Sequence, residues 1–513
     1  MKKNIKWILG LAVALTACDV NNELEEIKES AVSDVAFQAG SADFSKYISV
    51  GASFTAGFSD GALFIKSQEN SFPNILAGKF SMANGGTFNQ PLMADNIGGL
   101  VSGATISQEP RLYFNGAGPV RLEKTPTTQI GVPAEKAPDF NNYGVPGAKS
   151  FHFVAPGYGD AMGLASEPAT ANPYFVRMGP SQPTVVAEAV SKQPTFFTLS
   201  EIGGNDVLVY AMGGGTGTDQ TGNIDPSTYG PEDITDPNVF AQTFSGIVDA
   251  LTDGGAKGVV ATVPYITSLP FFTTVPYNPV PLDAATAAAL NSGYASYNEG
   301  IKLAFAASVA GGAMSQEDAD AEIAKRTIKF AEGANAVVIL DENLTDLTSI
   351  NPSLTNLRQT TSNDHLVLTV SSLIGQPVVP GSDLLNGLTA PLEDKWVLTA
   401  DEVAGVKKAT DAYNETITSI AAAKGLALAD FKTVLEQAAT TGVLFDEYTM
   451  NTSLVFGGLV SLDGIHLTAR GYAFMANTIL EAIDKTYGSN FTLATNGLAK
   501  AKDYPTNYSP ALE

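Results

Sequence analysis

Cysteine is nearly absent from this chain, because Cys18 is the only one among 513 residues. A single cysteine cannot form a disulfide within one chain, so cross-links contribute nothing to the stability of the fold. Stability must come from a buried core, and a content of 44% hydrophobic and 9% aromatic residues can supply one. The length suffices for one large domain or for two ordinary ones.

Basic residues are also scarce, since 29 lysines and arginines face 53 acidic residues and leave a formal net charge of −24. A nucleic-acid ligand requires clustered lysine and arginine to neutralise its phosphates. The composition therefore argues against a nucleic-acid partner. The excess of acidic residues is typical of a soluble surface.

Long apolar runs are missing except near the start, where residues 7–15 follow three lysines. This run is too short for an ordinary transmembrane helix, and small residues end it, as in an export signal. The sequence Leu-Thr-Ala-Cys that ends at Cys18 resembles the lipobox of bacterial lipoproteins. The resemblance implies a signal peptide over residues 1–17, lipidation of Cys18 and anchoring to a membrane of the bacterial cell envelope, with the outer membrane favoured. A plain secreted protein and a buried free cysteine are the alternatives. The acidic residues 18–43 are then expected to form a tether between the lipid and the folded part.

Short apolar segments alternate with amphipathic ones along the chain. The apolar segments predict strands at 46–50, 195–200, 258–263, 336–340 and 426–430. Helical periodicity appears at 239–251, at 402–424 and in a last amphipathic helix around 472–483. Strands that alternate with helices predict an α/β fold whose parallel sheet is covered on both faces. Ligands of such sheets bind where the strands end and the loops begin.

Four stretches without either periodicity are interpreted as insertions, at 81–140, 213–237, 264–283 and 346–396. The stretch 264–283 holds five prolines and four large aromatic residues. It is expected to line an acyl-chain pocket, to act as a lid, or to pack as an ordinary surface loop. Because the candidate catalytic residues span most of the chain, residues 44–490 are expected to form one domain, followed by a tail over 491–513.

Three polar motifs contain the parts of a serine hydrolase. Ser53 follows the first predicted strand, Asn205 follows two glycines after the second, and Asp463 precedes His466 by three residues. A serine hydroxyl needs a base within hydrogen-bond reach, and the base needs an orienting partner. The chain has only three histidines, so the choice of base is narrow.

The other histidines offer less. His152 is interpreted as a packed or surface residue, and His365 follows Asp364 without a third group to complete a catalytic dyad. No set of histidines and cysteines has metal-ligand spacing, so no metal site is predicted. Gly-x-Ser-x-Gly is missing too, because Thr55 stands where a nucleophile elbow needs glycine, which argues against an α/β-hydrolase.

Four short blocks, taken in order, resemble the motifs of the SGNH superfamily of GDSL-type esterases and lipases: GASFTAG at 51–57, NYGVPGA at 142–148, GGND at 203–206 and DGIH at 463–466. The resemblance implies a three-layer α/β/α sandwich with a central, flavodoxin-like parallel sheet. It implies Ser53 as the nucleophile, His466 as the base and then the acid, and Asp463 as the residue that orients His466. It places the oxyanion hole at the N–H groups of Ser53 and Gly147 and at the side-chain amide of Asn205. It implies no metal or organic cofactor.

Residue 52 departs from the family motif, which has an aspartate where this chain has Ala52. Alanine removes a hydrogen-bonding carboxylate beside the turn, so a less rigid nucleophile loop is expected. The predicted reaction is hydrolysis of a carboxylic ester through an acyl-enzyme on Ser53, with a lipid or an acylated glycan as substrate. A carbohydrate deacetylase and a non-catalytic binding lipoprotein of the cell envelope are the alternatives.

Overall fold

A five-stranded parallel sheet forms the centre of the protein. The computed structural model describes residues 35–512, so the predicted signal peptide and the lipidation site at Cys18 lie outside the described residues. In chain order the strands are β1 (Tyr47–Gly51), β2 (Asn142–Gly144), β3 (Phe196–Ser200), β4 (Lys257–Ala261) and β5 (Ala427–Ala429). Their spatial order is β2-β1-β3-β4-β5, and every neighbouring pair is parallel. The predicted α/β class is confirmed, and this order is that of a doubly wound sheet with its switch point between β1 and β3.

Burial of the central strands shows that both faces of the sheet are covered. All five residues of β1 and all five of β3 are buried, as continuous apolar strands between two helical layers require. Three of their hydroxyl groups pair inside the sheet, where Thr198 Oγ1 lies 2.9 Å from both Ser49 Oγ and Tyr47 Oη. The core strands therefore carry no unpaired hydroxyl in this cluster.

The α-helices within residues 35–512 are α1 (Ser53–Ala56), α2 (Ile65–Glu69), α3 (Phe72–Phe80), α4 (Pro173–Arg177), α5 (Val185–Ser191), α6 (Asn205–Met212), α7 (Pro237–Thr252), α8 (Pro270–Thr273), α9 (Ala284–Ala310), α10 (Gln316–Arg326), α11 (Ala400–Lys424), α12 (Phe431–Thr440) and α13 (Ala469–Tyr487). Helices α3 and α13 contact each other, and α13 also packs on β4 and β5. A second group, α5, α7 and α11, is also in mutual contact and reaches the sheet through β1, β4 and β5. No helix within this described range is long and apolar enough to cross a membrane.

The last helix shows why the sequence folds as it does near the site. The Thr468 side chain accepts a hydrogen bond from the Gly471 N–H and caps α13, while Gly488 ends the helix in the left-handed region at φ +75°. The side chains at the predicted three- and four-residue spacing are all buried, as an amphipathic helix requires: Tyr472, Met475, Ala476, Ile479 and Ile483. The helices predicted at 239–251 and 402–424 also form, as α7 and α11.

The remaining strands lie outside the central sheet in antiparallel pairs: Leu100–Ser102 with Thr105–Gln108, Leu112–Phe114 with Pro119–Arg121, Val280–Leu282 with Gly333–Asn335, Val338–Leu340 with Leu357–Gln359, His365–Leu366 with Val397–Leu398, and Val443–Phe445 with Tyr448–Met450. The strand predicted at 336–340 therefore forms, but its expected place in the parallel sheet is wrong. Apolar residues specify burial and do not specify which partner strand provides it. Here α9 and α10 form a small separate core with Leu347 and Leu354, and this part of the chain pairs locally.

Both ends of the described chain pack on the domain. Phe491, Ala501 and Tyr508 of the predicted tail are buried, and Arg111 Nη2 donates to the Ser509 carbonyl. At the other end, the Ser41 N–H donates to the carbonyl of Tyr487 over 2.8 Å. The part of the predicted tether that is described thus lies against the end of α13.

The environment of His152 predicts a pH-dependent stability. Its Nδ1 accepts the Lys149 N–H at 3.1 Å and its ring stacks on Tyr158 with centroids 4.7 Å apart. Burial, with the nearby Lys149 charge, lowers the pKa of His152 to about 4. A histidine with a lowered folded-state pKa destabilises the fold as pH falls from about 6.5 towards 4, by at most about 1.4 kcal/mol per pH unit.

We expect His152→Gln, whose amide oxygen can still accept the Lys149 N–H, to remove this dependence. Urea unfolding of both proteins at pH 7.5, 5.5 and 4.5 measures it, because all other titrating groups are common to the two chains. The free-energy gap between variant and wild type should grow in the variant's favour as pH falls. Parallel pH curves for the two proteins would show that His152 becomes protonated without cost in the folded state.

Candidate active site

Ser53 lies at the carboxyl end of β1, where the chain leaves the sheet. It is the first residue of the four-residue helix α1, which ends at Gly57 in the left-handed region. The side chain is 8% exposed. Gly51 permits this turn, because a Cβ there would lie 2.2 Å from Thr55 Oγ1 and 2.6 Å from the Ser200 carbonyl oxygen. The close approach of backbone and side chains thus sets where the hydroxyl points.

Asp463 and His466 occupy a tight turn just before α13. The Ser461 N–H donates to the His466 carbonyl at 2.7 Å, and the Gly464 N–H donates to the Ser461 carbonyl at 3.0 Å. Gly464 sits at φ +78°, a conformation that favours glycine. This turn, followed by the capped start of α13, holds the imidazole in place.

The three side chains form one connected line. His466 Nε2 lies 2.9 Å from Ser53 Oγ, and His466 Nδ1 lies 2.9 Å from Asp463 Oδ2. Because the carboxylate accepts the Nδ1 proton, Nε2 is left with a lone pair and the serine hydroxyl donates to it. This arrangement can move the hydroxyl proton to the imidazole while the oxygen attacks an electrophile.

The carboxylate of Asp463 is bound on every side. Its Oδ1 accepts the N–H groups of Ile465 and His466, both at 2.8 Å, and its Oδ2 also accepts the Gly61 N–H at 2.7 Å. Burial by itself would raise the pKa of Asp463, but His466 and these hydrogen bonds lower it well below its usual range. Asp463 is therefore ionised at neutral pH, and its charge can stabilise a positive charge on His466.

Aromatic rings flank the imidazole. The centroid of Phe58 lies 4.6 Å from that of His466, and Phe54 makes an edge contact at 5.6 Å. Tyr472 of α13 donates its hydroxyl to the Phe58 carbonyl at 2.6 Å and so ties this wall to the last helix. The rings restrict water around the base and fix its orientation.

Asn205 and Gly147 reach the same edge of the sheet from β3 and β2. Asn205 is the first residue of α6, and its Nδ2 donates to the Ala148 carbonyl at 2.9 Å. This bond uses one N–H of the amide and leaves the second N–H available to a ligand. Gly147 has φ +79° and faces open space. In the part of the chain that the structure describes, neither the Ser53 N–H nor the Gly147 N–H finds a hydrogen-bond acceptor. Free backbone donors beside a nucleophile are what a developing oxyanion requires.

Asp206 holds the loop that carries Gly147. Its buried carboxylate accepts from Ser150 twice, from the N–H at 2.8 Å and from the hydroxyl at 2.6 Å. Asn142 ties β2 to the nucleophile turn, because its Nδ2 donates to the Thr55 carbonyl at 2.8 Å. Both residues belong to the short blocks identified in the sequence, but their roles as anchors depend on contacts that no spacing reveals.

For the ester hydrolysis that the sequence leads us to expect, Asn205→Ala should lower kcat about 10²- to 10³-fold, with KM changed much less, because the amide would stabilise charge that develops only in the transition state. Steady-state kinetics on a soluble ester measures this, and Asn343→Ala, at an exposed asparagine, is the matched control. A rise in KM with kcat unchanged would instead assign Asn205 to substrate binding.

The other candidates from the sequence are engaged elsewhere. Asp364 forms a two-point ion pair with Arg358 at 2.7 and 2.8 Å, and His365 Nδ1 faces the Phe272 carbonyl at 3.0 Å. Both residues therefore serve packing rather than a second dyad. These contacts agree with the interpretation from the sequence that no third group completes a catalytic dyad at Asp364 and His365.

Among residues 35–512, one group of acidic side chains has the spacing of a metal site: the carboxylates of Glu342, Asp394 and Glu402 lie within 4.8 Å of one another. Glu402 is already used as a helix cap, because its Oε2 accepts the Thr399 N–H at 2.6 Å. Burial, with the charges of the other two carboxylates, raises the pKa of Glu402 to about 8. Protonation of Glu402 can thus relieve the repulsion among the three carboxylates.

A largely apolar cavity of about 110 Å³ opens beside Ser53 and Asn205. Its walls come from the ends of β1, β3 and β4 and from α6, α12 and α13, including Leu208, Phe431, Leu435, Phe474 and Met475. The stretch 264–283 contributes Pro264, Ile266 and Leu269, and its Phe271 N–H donates to the Gly464 carbonyl at 3.0 Å. That stretch is therefore both packed on the histidine loop and part of the cavity wall.

The structure brings together every residue that the sequence assigned to the site. Ser53, Asp463 and His466 are in hydrogen-bond contact, and Asn205, at the start of α6, bonds to the Ala148 carbonyl in the loop that carries Gly147. Comparison of the chain with protein-family models, with curated proteins and with solved structures finds no match.

Proposed function

We propose that this protein is a serine hydrolase of the SGNH type that cleaves carboxylic esters with an apolar acyl group. The observation that carries the proposal is the continuous contact from Ser53 Oγ through His466 to Asp463, with 2.9 Å at each step. A binding protein has no need of this arrangement, which is otherwise costly to maintain around partly buried polar groups.

The proposed reaction proceeds in two halves. Ser53 Oγ gives its proton to His466 Nε2 and forms a bond to the ester carbonyl carbon, and the carbonyl oxygen becomes an oxyanion held by Asn205 and the free N–H groups. His466 then returns the proton to the leaving alcohol as the carbon–oxygen bond breaks. Water attacks the acyl-enzyme by the same route and releases the acid and the free serine.

The cavity beside Ser53 supports an acyl chain as the bound part of the substrate. Its lining is almost entirely aliphatic or aromatic, with Ser53, Asn205 and Glu201 among the few polar residues on it. Burying methylene groups there is favourable by about 0.8 kcal/mol each, or about fourfold in affinity. A polar acylated glycan would place only its small acyl group in such a cavity, so the lipid-like substrate is favoured over the glycan.

Hydrolysis of p-nitrophenyl esters from acetyl to palmitoyl tests this proposal on purified residues 19–513. We expect kcat/KM to rise with acyl length until the cavity is filled, up to about fourfold per buried methylene. Activity confined to the acetyl ester would favour a deacetylase. Absence of turnover on every ester, with the protein folded, would favour the binding lipoprotein.

A cavity-filling variant separates the acyl site from general activity. Leu208→Trp narrows the cavity and should lower the rate on long esters at least tenfold while the acetyl ester is hydrolysed nearly as before. Leu444→Trp makes the same change at a leucine that is 69% exposed and serves as the control. Equal losses on short and long esters would place the acyl chain elsewhere.

The membrane anchor at Cys18 remains a separate proposal that rests on the lipobox-like sequence. It would hold the domain beside a source of acyl esters. Mass spectrometry of the amino-terminal peptide, with Cys18→Ser as the comparison, tests it directly.

A further inference from the structure

The nucleophile helix α1 has no cap from its own sequence. Its N-cap residue is Ala52, and no side chain at that position accepts a hydrogen bond from the first turn. An aspartate at an N-cap ordinarily accepts the N–H of the second or third helical residue. In α1 the third residue is Thr55, two residues after Ser53, so this N–H needs an acceptor from elsewhere.

Glu201 supplies that acceptor from the end of β3. Its Oε1 accepts the Thr55 N–H at 2.9 Å. The Ala52 N–H and the hydroxyls of Thr55 and Ser200 also face the carboxyl group and favour its charged form. The carboxyl group of Glu201 therefore holds the backbone two residues after Ser53, although 148 positions of sequence separate Glu201 from Ser53.

The backbone around Glu201 is arranged to deliver this carboxyl group. Glu201 has φ +47°, in the left-handed region that costs a non-glycine residue about 1 kcal/mol or more. Gly51 leaves room for it, because a Cβ at residue 51 would lie 2.9 Å from Glu201 Oε1. The left-handed conformation of Glu201 and the space left by Gly51 both allow the carboxyl group to reach the Thr55 N–H.

The charge of this group also suits its place. Burial raises the pKa of Glu201 above its ordinary value despite the hydrogen bonds that lower it, and Oε2 is buried with no hydrogen-bond partner among the described residues. A carboxyl group shifted towards its neutral form can hold the turn without placing a full negative charge beside a developing oxyanion.

We infer that Glu201 is a positioning residue for the nucleophile, which takes over from another strand the capping role that residue 52 cannot perform. This inference rests on the proposed hydrolase function. Glu201 itself does not contact the reacting atoms. Through the backbone of Thr55 and Ala52 it determines the position of the Ser53 hydroxyl and of the Ser53 N–H.

The test compares Glu201→Ala, Glu201→Gln and the double variant Glu201→Ala with Ala52→Asp. A shift of the serine by about 1 Å is enough to lower turnover about 10²-fold, so we expect Glu201→Ala to lower kcat 10- to 100-fold with KM within about twofold. Glu201→Gln keeps an acceptor for the Thr55 N–H and should stay within about threefold of wild type. The double variant should recover at least half of the lost activity on a logarithmic scale, since an aspartate at the N-cap reaches the same N–H.

A second readout makes the result independent of turnover. The rate at which a fluorophosphonate labels Ser53 should fall in Glu201→Ala and recover in the double variant, while the exposed Glu69→Ala control matches wild type. If Glu201→Ala does not fold, Glu201→Asp replaces it, because the shorter side chain withdraws the carboxyl group from Thr55.

Any of the following outcomes overturns the inference. A melting temperature lowered in Glu201→Ala with kcat and labelling unchanged would make Glu201 a packing residue. A loss in Glu201→Gln as large as in Glu201→Ala, or no recovery in the double variant, would remove the capping role. A wild-type protein that neither hydrolyses esters nor reacts with the fluorophosphonate would overturn the proposed function itself, and the inference with it.

Discussion

Replacing Ser53 with alanine is expected to lower kcat for ester hydrolysis by about 10⁵- to 10⁶-fold, the largest effect of any single change in this protein. In the proposed mechanism the hydroxyl oxygen of Ser53, which lies 2.9 Å from His466 Nε2, forms the acyl-enzyme. His466, Asp463 and the oxyanion donors would remain, so a small residual rate over uncatalysed hydrolysis should persist.

The measurement is turnover of the best p-nitrophenyl ester, together with mass spectrometry of the protein after brief exposure to it. Wild type should carry a transient acyl adduct on the peptide that contains residue 53, and Ser53→Ala should carry none. Ser102→Ala, at an exposed serine, controls for the substitution itself. Full activity in Ser53→Ala would assign the reaction to another residue or to a contaminant and would refute the proposed mechanism.

Asp463→Asn is expected to lower kcat about 10⁴-fold while leaving the fold intact. The carboxylate accepts four N–H bonds, from the backbone of Gly61, Ile465 and His466 and from the imidazole. An amide that keeps its oxygen on the Ile465 and His466 N–H groups must turn its NH₂ towards the imidazole. The ring would then accept at Nδ1 and carry its proton on Nε2, where it cannot take one from Ser53.

The same variant has a signature in stability. The pKa of Asp463 is depressed in the fold, so its contribution is present above the unfolded value of about 4 and is lost as pH falls below it. The gap in unfolding free energy between wild type and Asp463→Asn should therefore shrink under acidic conditions, as denaturant titrations across pH 3–7 can measure. Asp225→Asn, at an exposed carboxylate, should leave kcat unchanged. A kcat within tenfold of wild type for Asp463→Asn would mean that His466 is oriented by other contacts.

The central strands and the outer helices could be predicted because their information is local. Residues 47–51 and 196–200 are continuous apolar runs that end at glycine-rich turns, and the last helix shows its buried face in its spacing. The pairing of Asp463 with His466 could be predicted for the same reason, since a spacing of three residues in a turn places the two side chains together. Ser53 and Asn205 gained meaning only through the order of the blocks.

What could not be predicted depends on partners distant in sequence. Glu201 sits beside a recognisable motif, yet nothing in its neighbourhood shows that its carboxyl group turns back to Thr55. The strand at 338–340 pairs with residues 357–359 because α9 and α10 carry the chain away from the sheet. One signal could have indicated Glu201: because Ala52 cannot cap α1, the Thr55 N–H needs an acceptor from another part of the chain.

The contact between His466 and Ser53 joins positions separated by 413 residues. The entropy of closing so long a loop is recovered only when the carboxyl-terminal helix docks on the sheet, so such a contact belongs to the late stages of folding. A chain that is still being synthesised, or that ends before His466, has the serine without the proposed base. In the proposed mechanism, hydrolytic activity would therefore report that the fold is complete.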